Sequence, residues 1–220
     1  MDTITPSEAV SAVRKNLDEQ EINASAMYNT GSPDTTDNDA LDSIIVKTLP
    51  DAINWVHGEA PLALLEGVAG TPASASFSNN SLVFSFTTKT ILRLVAFQAV
   101  DSNVVVGEWT PEYSPEGRQQ LNEYVRGTYD DPVLVKVHGK QQFRYYTVKS
   151  ATATTYASAP EDAIARFDYV PLAEYADNAV SYQVSPLLKE SALLHLTGMV
   201  LAIYGETDKA NYFFEKAKIG

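Results

Sequence analysis

Histidine is the side chain best suited to proton transfer or metal binding near neutral pH, and this chain has three: His57, His138 and His195. None has a second histidine or a carboxylate at the His-x-x-x-His spacing that sets two ligands on one helix face. His195 falls on an apolar helix face, where a hydrogen-bonded core histidine is expected. His57 stands at a helix end, where the dipole favours a cation, and His138 flanks a strand turn. Asp34, Asp37, Asp39 and Asp42 cluster, but the run lacks the sixth-position glycine and closing glutamate of a calcium loop. Helix capping and loop solvation account for them, and turn chemistry accounts for Asp130-Asp131 before Pro132. Nothing singles out a carboxylate pair for glycoside hydrolysis, because the separation that matters there is spatial.

Phosphate chemistry finds no better footing. Neither Gly-x-Gly-x-x-Gly nor the Walker pattern occurs, and Gly67-Val68-Ala69-Gly70 has no following lysine or helix cap. No Gly-x-Ser-x-Gly elbow is present. The sequence therefore nominates no catalytic, cofactor-binding or metal-ligating residue, and a protein without enzymatic activity is expected. One other cluster stands out: Tyr113, Tyr124, Tyr129, Tyr145 and Tyr146, with Arg118, Arg126 and Arg144 nearby. These residue types make either a protein contact surface or ordinary sheet positions.

The chain of 220 residues is long enough for a sizeable core. Its 45% hydrophobic and 20% charged content is that of a folded protein. Cysteine is absent, which removes disulfides, thiolate metal sites and cysteine nucleophiles. The net charge of −12 repels nucleic acid and anionic lipid, so neither is expected as a direct ligand. Such a surface gives solubility, or a channel wall along which a polyanion slides without sticking. No apolar stretch is expected to span a membrane, and Met1-Asp2-Thr3-Ile4-Thr5 lacks the basic and apolar run of a secretion signal.

Thr5-Pro6-Ser7-Glu8 reads as a capping box opening a helix to about Glu19. After a turn-rich run, Asn29 to Asn38, the positions Leu41, Ile44, Ile45, Leu49, Ala52, Ile53 and Val56 follow helical spacing to His57-Gly58. Pro50 should kink or split this second helix. Strand alternation then begins at Leu82, Phe84 and Phe86, and Ile91 to Val100 is expected to pair with it across Thr88-Lys89-Thr90. Val104 to Glu108 suggests a short strand, and Ser114-Pro115-Glu116 a three-turn helix closing at Gly127. Val133 to His138 and Gln142 to Lys149 suggest a hairpin turning at Gly139-Lys140, and Arg166 to Leu172 a last strand. Ser150 to Pro160 reads as a loop or an edge strand, and Ala173 to Val180 as a short helix.

The clearest signals lie at the end. Ser185-Pro186 should start a helix, Gly205 should stop it in the left-handed conformation, and Thr207-Asp208 should start another with Ala210, Phe213, Phe214 and Ala217 inward. The first helix of this hairpin is apolar around most of its circumference, so other elements or neighbouring subunits must cover it. The order of elements argues an α+β fold: a helical bundle from both termini, 1–66 and 173–220, with a β-rich insertion, 67–172, carrying one short helix.

Two segments resemble head–tail connector (adaptor) proteins of tailed phages. They are Asn38 to Ile45 with Ala52 to Val56, and the Leu187 to Lys216 hairpin with Gly205-Glu206-Thr207-Asp208-Lys209-Ala210. Between them, Ile91-Leu92-Arg93-Leu94, Trp109, Ser114 to Glu123 and Asp131-Pro132-Val133 are similar to the middle of ring proteins from crAss-like phages of gut Bacteroidales. The resemblance implies a non-enzymatic virion part at the head–tail junction, made in the host cytoplasm. It implies a cyclic homo-oligomer, commonly of about twelve copies, that touches portal and tail proteins while DNA only passes through. It implies no cofactor, no metal and no membrane. The hairpin also resembles one tetratricopeptide unit, but a solenoid needs about three repeats. The alternative is a monomeric or dimeric protein-binding module using the β-rich middle as its recognition surface.

Overall fold

The computed structural model describes residues 2–19, 35–78, 81–86, 90–122, 124–128, 131–146, 154–156, 158–177 and 181–218. The chain is α+β and divides into two compact units: Met1–Leu65 with Ala173–Gly220, and Glu66–Leu172.

In the first unit, strand β1 (Asp2–Ile4) leads into α1 (Pro6–Glu19), and α2 (Thr35–Glu59) follows. The chain returns through β10 (Tyr182–Val184) to α4 (Lys189–Ile203) and α5 (Thr207–Ala217). β1 and β10 pair antiparallel, Asp2 opposite Val184 and Ile4 opposite Tyr182. The Thr5 hydroxyl accepts from the Glu8 N–H at 3.1 Å, the first half of the capping box. The Glu8 carboxylate goes instead to Lys189, 2.8 Å away, and Lys189 also reaches Asp2 at 3.2 Å. One ammonium thus ties the start of the chain to the start of α4.

α2 runs on through Pro50 without splitting, and Pro50 is buried. The missing N–H costs one helical bond. The apolar face of Leu41, Ile45, Leu49, Ala52, Ile53 and Val56, all sealed from solvent, holds both sides of that gap. Asn54 clamps the returning chain with both ends of its amide. Its Nδ2 donates to Ala173 O and its Oδ1 accepts from Ala173 N, each at 2.8 Å. Residues 173–177 are accordingly irregular rather than helical.

α4 packs against α5, α2 and α1. Ala192, Leu196, Thr197, Val200 and Leu201 are fully buried. The covering that this helix demands is supplied by its own unit, so neighbouring subunits are not needed for it. Pro186–Ile203 also has a mean hydropathy of 1.3 over 18 residues, enough by length and composition to cross a membrane, against the expectation from sequence. In the fold this segment is the central helix of a bundle.

Its start differs in detail from expectation. Pro186–Leu188 forms a 3₁₀ turn with Leu188 N–H bonded to Ser185 O at 2.9 Å, and the Ser185 hydroxyl makes no cap bond. Its end is a Schellman motif: Glu206 N–H donates to Leu201 O and Gly205 N–H to Ala202 O, with Gly205 at φ +82°. Thr197, buried and polar, donates to Leu193 O and accepts from Asn16 Nδ2, each at 2.9 Å, so its hydroxyl is satisfied in both roles.

The second unit holds two sheets. One is three-stranded: β2 (Val68–Ala69), β9 (Ile164–Pro171) and β5 (Ile91–Ala99), in that order. The other is five-stranded: β3 (Ser74–Ser78), β4 (Ser81–Ser85), β8 (Gln142–Tyr146), β7 (Leu134–Lys136) and β6 (Thr110–Pro111). Their inward aromatic residues form one core. Phe84 lies 5.4 Å from Phe97 and 5.6 Å from Phe143, Phe86 lies 4.5 Å from Phe167, and Phe97 lies 4.8 Å from Tyr145. Aromatic pairs at these separations add stabilisation beyond the area they bury.

The expected hairpin between Leu82–Phe86 and Ile91–Val100 does not form. β4 pairs with β3 and β8, while β5 pairs with β9. The two segments go to different sheets, and Phe84 and Phe97 stack face to face between them. Ser74–Ser78 is the hairpin partner of β4 instead. Val104 to Glu108 yields a single bridge, Phe97 to Val106, and the helix after Ser114 (α3, Pro115–Gln119) is five residues rather than three turns. The Thr88-Lys89 turn, residues 29–34, 147–153 and 178–180, and Tyr129 and Asp130 lie outside the described residues.

Candidate interaction surface

The short helix α3 leads into a loop that its own last turn holds in place. Ser114 caps the helix, accepting from Gly117 N–H at 3.0 Å, and Gln120 ends it. The Gln120 side chain is buried and spans the next turn: its Nε2 donates to Glu116 O at 3.1 Å and its Oε1 accepts from Gly127 N–H at 2.7 Å. Inside that span, Arg126 N–H donates to Asn122 O, and Tyr124 N–H to Asn122 Oδ1, each at 3.0 Å. Outside it, Thr128 and Asp131 exchange backbone hydrogen bonds. This fixed loop presents Leu121 at 72%, Tyr124 at 91% and Val125 at 57% exposure. An ordered backbone carrying three large apolar side chains into water is unusual for a closed surface.

Beside α3 in the chain lies a groove of about 340 Å³ whose lining includes Trp109, Pro111, Glu112, Tyr113, Lys136 and Val137. The parallel pairing of β6 with β7, Thr110 opposite Val135 and Pro111 opposite Lys136, builds it. The Lys136 ammonium sits over the Trp109 ring at 4.3 Å and donates to Ile91 O at 3.4 Å. Burial makes this ammonium easier to deprotonate than an ordinary lysine. Glu112 is fully engaged, with Oε2 accepting from His138 N–H at 3.0 Å and Oε1 lying 3.6 Å from Arg144.

The candidates from sequence scatter. His57 is buried on α2. His138 is exposed, its ring 5.1 Å from Tyr113. His195 is a core histidine held by stacking: Trp55 lies 3.7 Å away and nearly parallel, Phe214 lies 4.9 Å away, and Nδ1 has no hydrogen-bond partner among the described residues. Burial pulls its pKa down to about 4, so the ring is neutral at pH 7. Asp42 pairs with Arg14 at 2.7 Å and Asp39 is exposed, while Asp34 and the Asp37 side chain lie outside the described residues. Among the described residues, no group of three His, Asp or Glu could hold a metal ion.

The tyrosine and arginine cluster splits. Tyr145 and Tyr146 are core residues of β8, whereas Tyr113 and Tyr124 are exposed. Sequence reasoning missed Trp109, Glu112 and Lys136 as a group. One signal was available: Lys136 shares a strand face with buried Leu134, a charge where alternation calls for an apolar residue. No family model, curated protein or solved structure matches the chain.

Proposed function

We propose that this protein is a non-enzymatic structural subunit of a tailed phage, a head–tail connector that joins copies of itself into a ring between portal and tail. The observation that carries this reading is the exposed Leu121, Tyr124 and Val125 beside the Gln120 clamp, which bonds Glu116 O and Gly127 N–H. A surface of that kind lowers its free energy when another protein covers it. Of the segments that resemble ring proteins, Trp109 lines the groove, and Ser114 to Asn122 supplies the helix cap, the Gln120 clamp and Leu121. A net charge of −12 lets DNA pass without adhering. In this reading the subunit belongs to the virion, is made in the host cytoplasm and needs no cofactor or membrane. Negative-stain images of the purified protein, alone and mixed with a tailed-phage portal protein, should show annular particles. A strict monomer in both samples would overturn the assignment.

A second reading draws on the enclosure of α4 within its own unit, which leaves the terminal hairpin with no need of neighbours. In it, the protein is a monomeric or dimeric binding module and the second unit is its recognition surface. Sedimentation mass, together with a pull-down lacking virion proteins, separates the two.

A further inference from the structure

We propose that the groove between Trp109 and Val137 takes a peptide segment of a partner protein, with an acidic side chain on Lys136 and an apolar neighbour against Pro111, Tyr113 and Val137. Charge complementarity selects the occupant. Glu112, the groove's own carboxylate, already has both oxygens occupied, by Arg144 and the His138 N–H. Lys136 has an indole face and a backbone carbonyl for company, and no carboxylate within salt-bridge distance among the described residues. An ammonium placed so lacks an ionic partner, and a charge-assisted bond to an incoming carboxylate supplies one. The indole fixes the ammonium before the partner arrives, so little side-chain freedom is lost on binding. The overall negative charge opposes this only weakly, because charges beyond about 8–10 Å are screened at physiological salt.

The burial of Lys136 makes the same point from the opposite side. Desolvation disfavours its charged form in the free protein, and a carboxylate in the groove reverses that penalty. Neutral polar peptides gain nothing comparable.

This inference rests on the reading that the second unit meets a protein partner, and not on the connector assignment. Calorimetric titration of the full chain with the capped peptide Phe-Asp-Asp-Leu, and with its counterpart carrying Asn in place of Asp, tests it. The acidic peptide should bind at roughly 0.1–1 mM, at least tenfold tighter than the neutral one, and more weakly as salt rises. Lys136→Gln should erase the preference, and Lys136→Arg, which keeps the cation, should retain most of it. Equal binding of the two peptides, or none up to about 10 mM, would overturn the proposal. So would a homo-oligomer that Lys136→Gln dissolves, since the groove would then belong to a second copy. Rings without a peptide preference would sink the groove and spare the connector; a peptide preference without rings would do the reverse.

Discussion

Helix α4 and the Leu121 to Arg126 loop are both apolar, yet one is covered and the other is not. In α4, the burial of Leu196, Val200 and Leu201 is completed by α1, α2 and α5 of the same unit. In the loop, Leu121, Tyr124 and Val125 face water beside backbone hydrogen bonds to Asn122 and Gln120. Hydrophobicity along the sequence says that a segment needs covering. Topology decides who covers it. The strongest apolar signal in this chain is therefore used up in folding, and the weaker one stays exposed.

The largest effect expected from breaking this contrast is in the covered helix. Leu196→Ala should cost about 3–5 kcal/mol in urea unfolding, since a fully buried leucine leaves a cavity between three helices. Acid should act next through His195. Its folded pKa of about 4 lies below the unfolded value near 6.5, so the unfolded chain binds the extra proton first. This contribution is therefore complete above about pH 6.5 and drains away as pH falls towards 4, by about 3 kcal/mol in all. Midpoints measured at about pH 7 and pH 4.5, on either side of the unfolded value, in wild type and His195→Gln check it, the variant showing a smaller drop.

Gly198→Val should cost about 2 kcal/mol by overpacking, because a Cβ there would stand 2.6 Å from the Phe214 ring and 3.1 Å from Ala210 O. Thermal unfolding of the variant measures it. Smallest of all, Leu121→Ser with Tyr124→Ser should change stability by less than about 0.5 kcal/mol, because neither side chain is buried. On the connector proposal, the same pair should abolish annular particles, a loss of assembly without a loss of fold.

The helical unit was legible in the sequence because its signals are local. Thr5 and Gly205 announce helix boundaries through their own backbone chemistry, and both do so in the structure. The 3.6-residue period of α2 survived even Pro50, since packing along Leu41 to Val56 outweighs one missing hydrogen bond. Strand pairing was less legible. Alternation marked Leu82, Phe84 and Phe86 as one face of a strand, but any alternating neighbour satisfies that pattern. The inward aromatic residues of β4 and β5 met across the core instead of along a ladder. The groove was hidden for a related reason: Trp109 and Lys136 are 27 positions apart and meet only through the parallel β6–β7 contact.

Hydrogen exchange, compared between the free subunit and the ring that the connector proposal requires, puts the contrast between the two regions to its most direct test. The α4 amides should be protected in the free subunit and unchanged on assembly, while residues 121–126 gain protection. Protection gained along α4 and α5, with residues 121–126 unchanged, would contradict the division between a covered helix and a loop proposed for association.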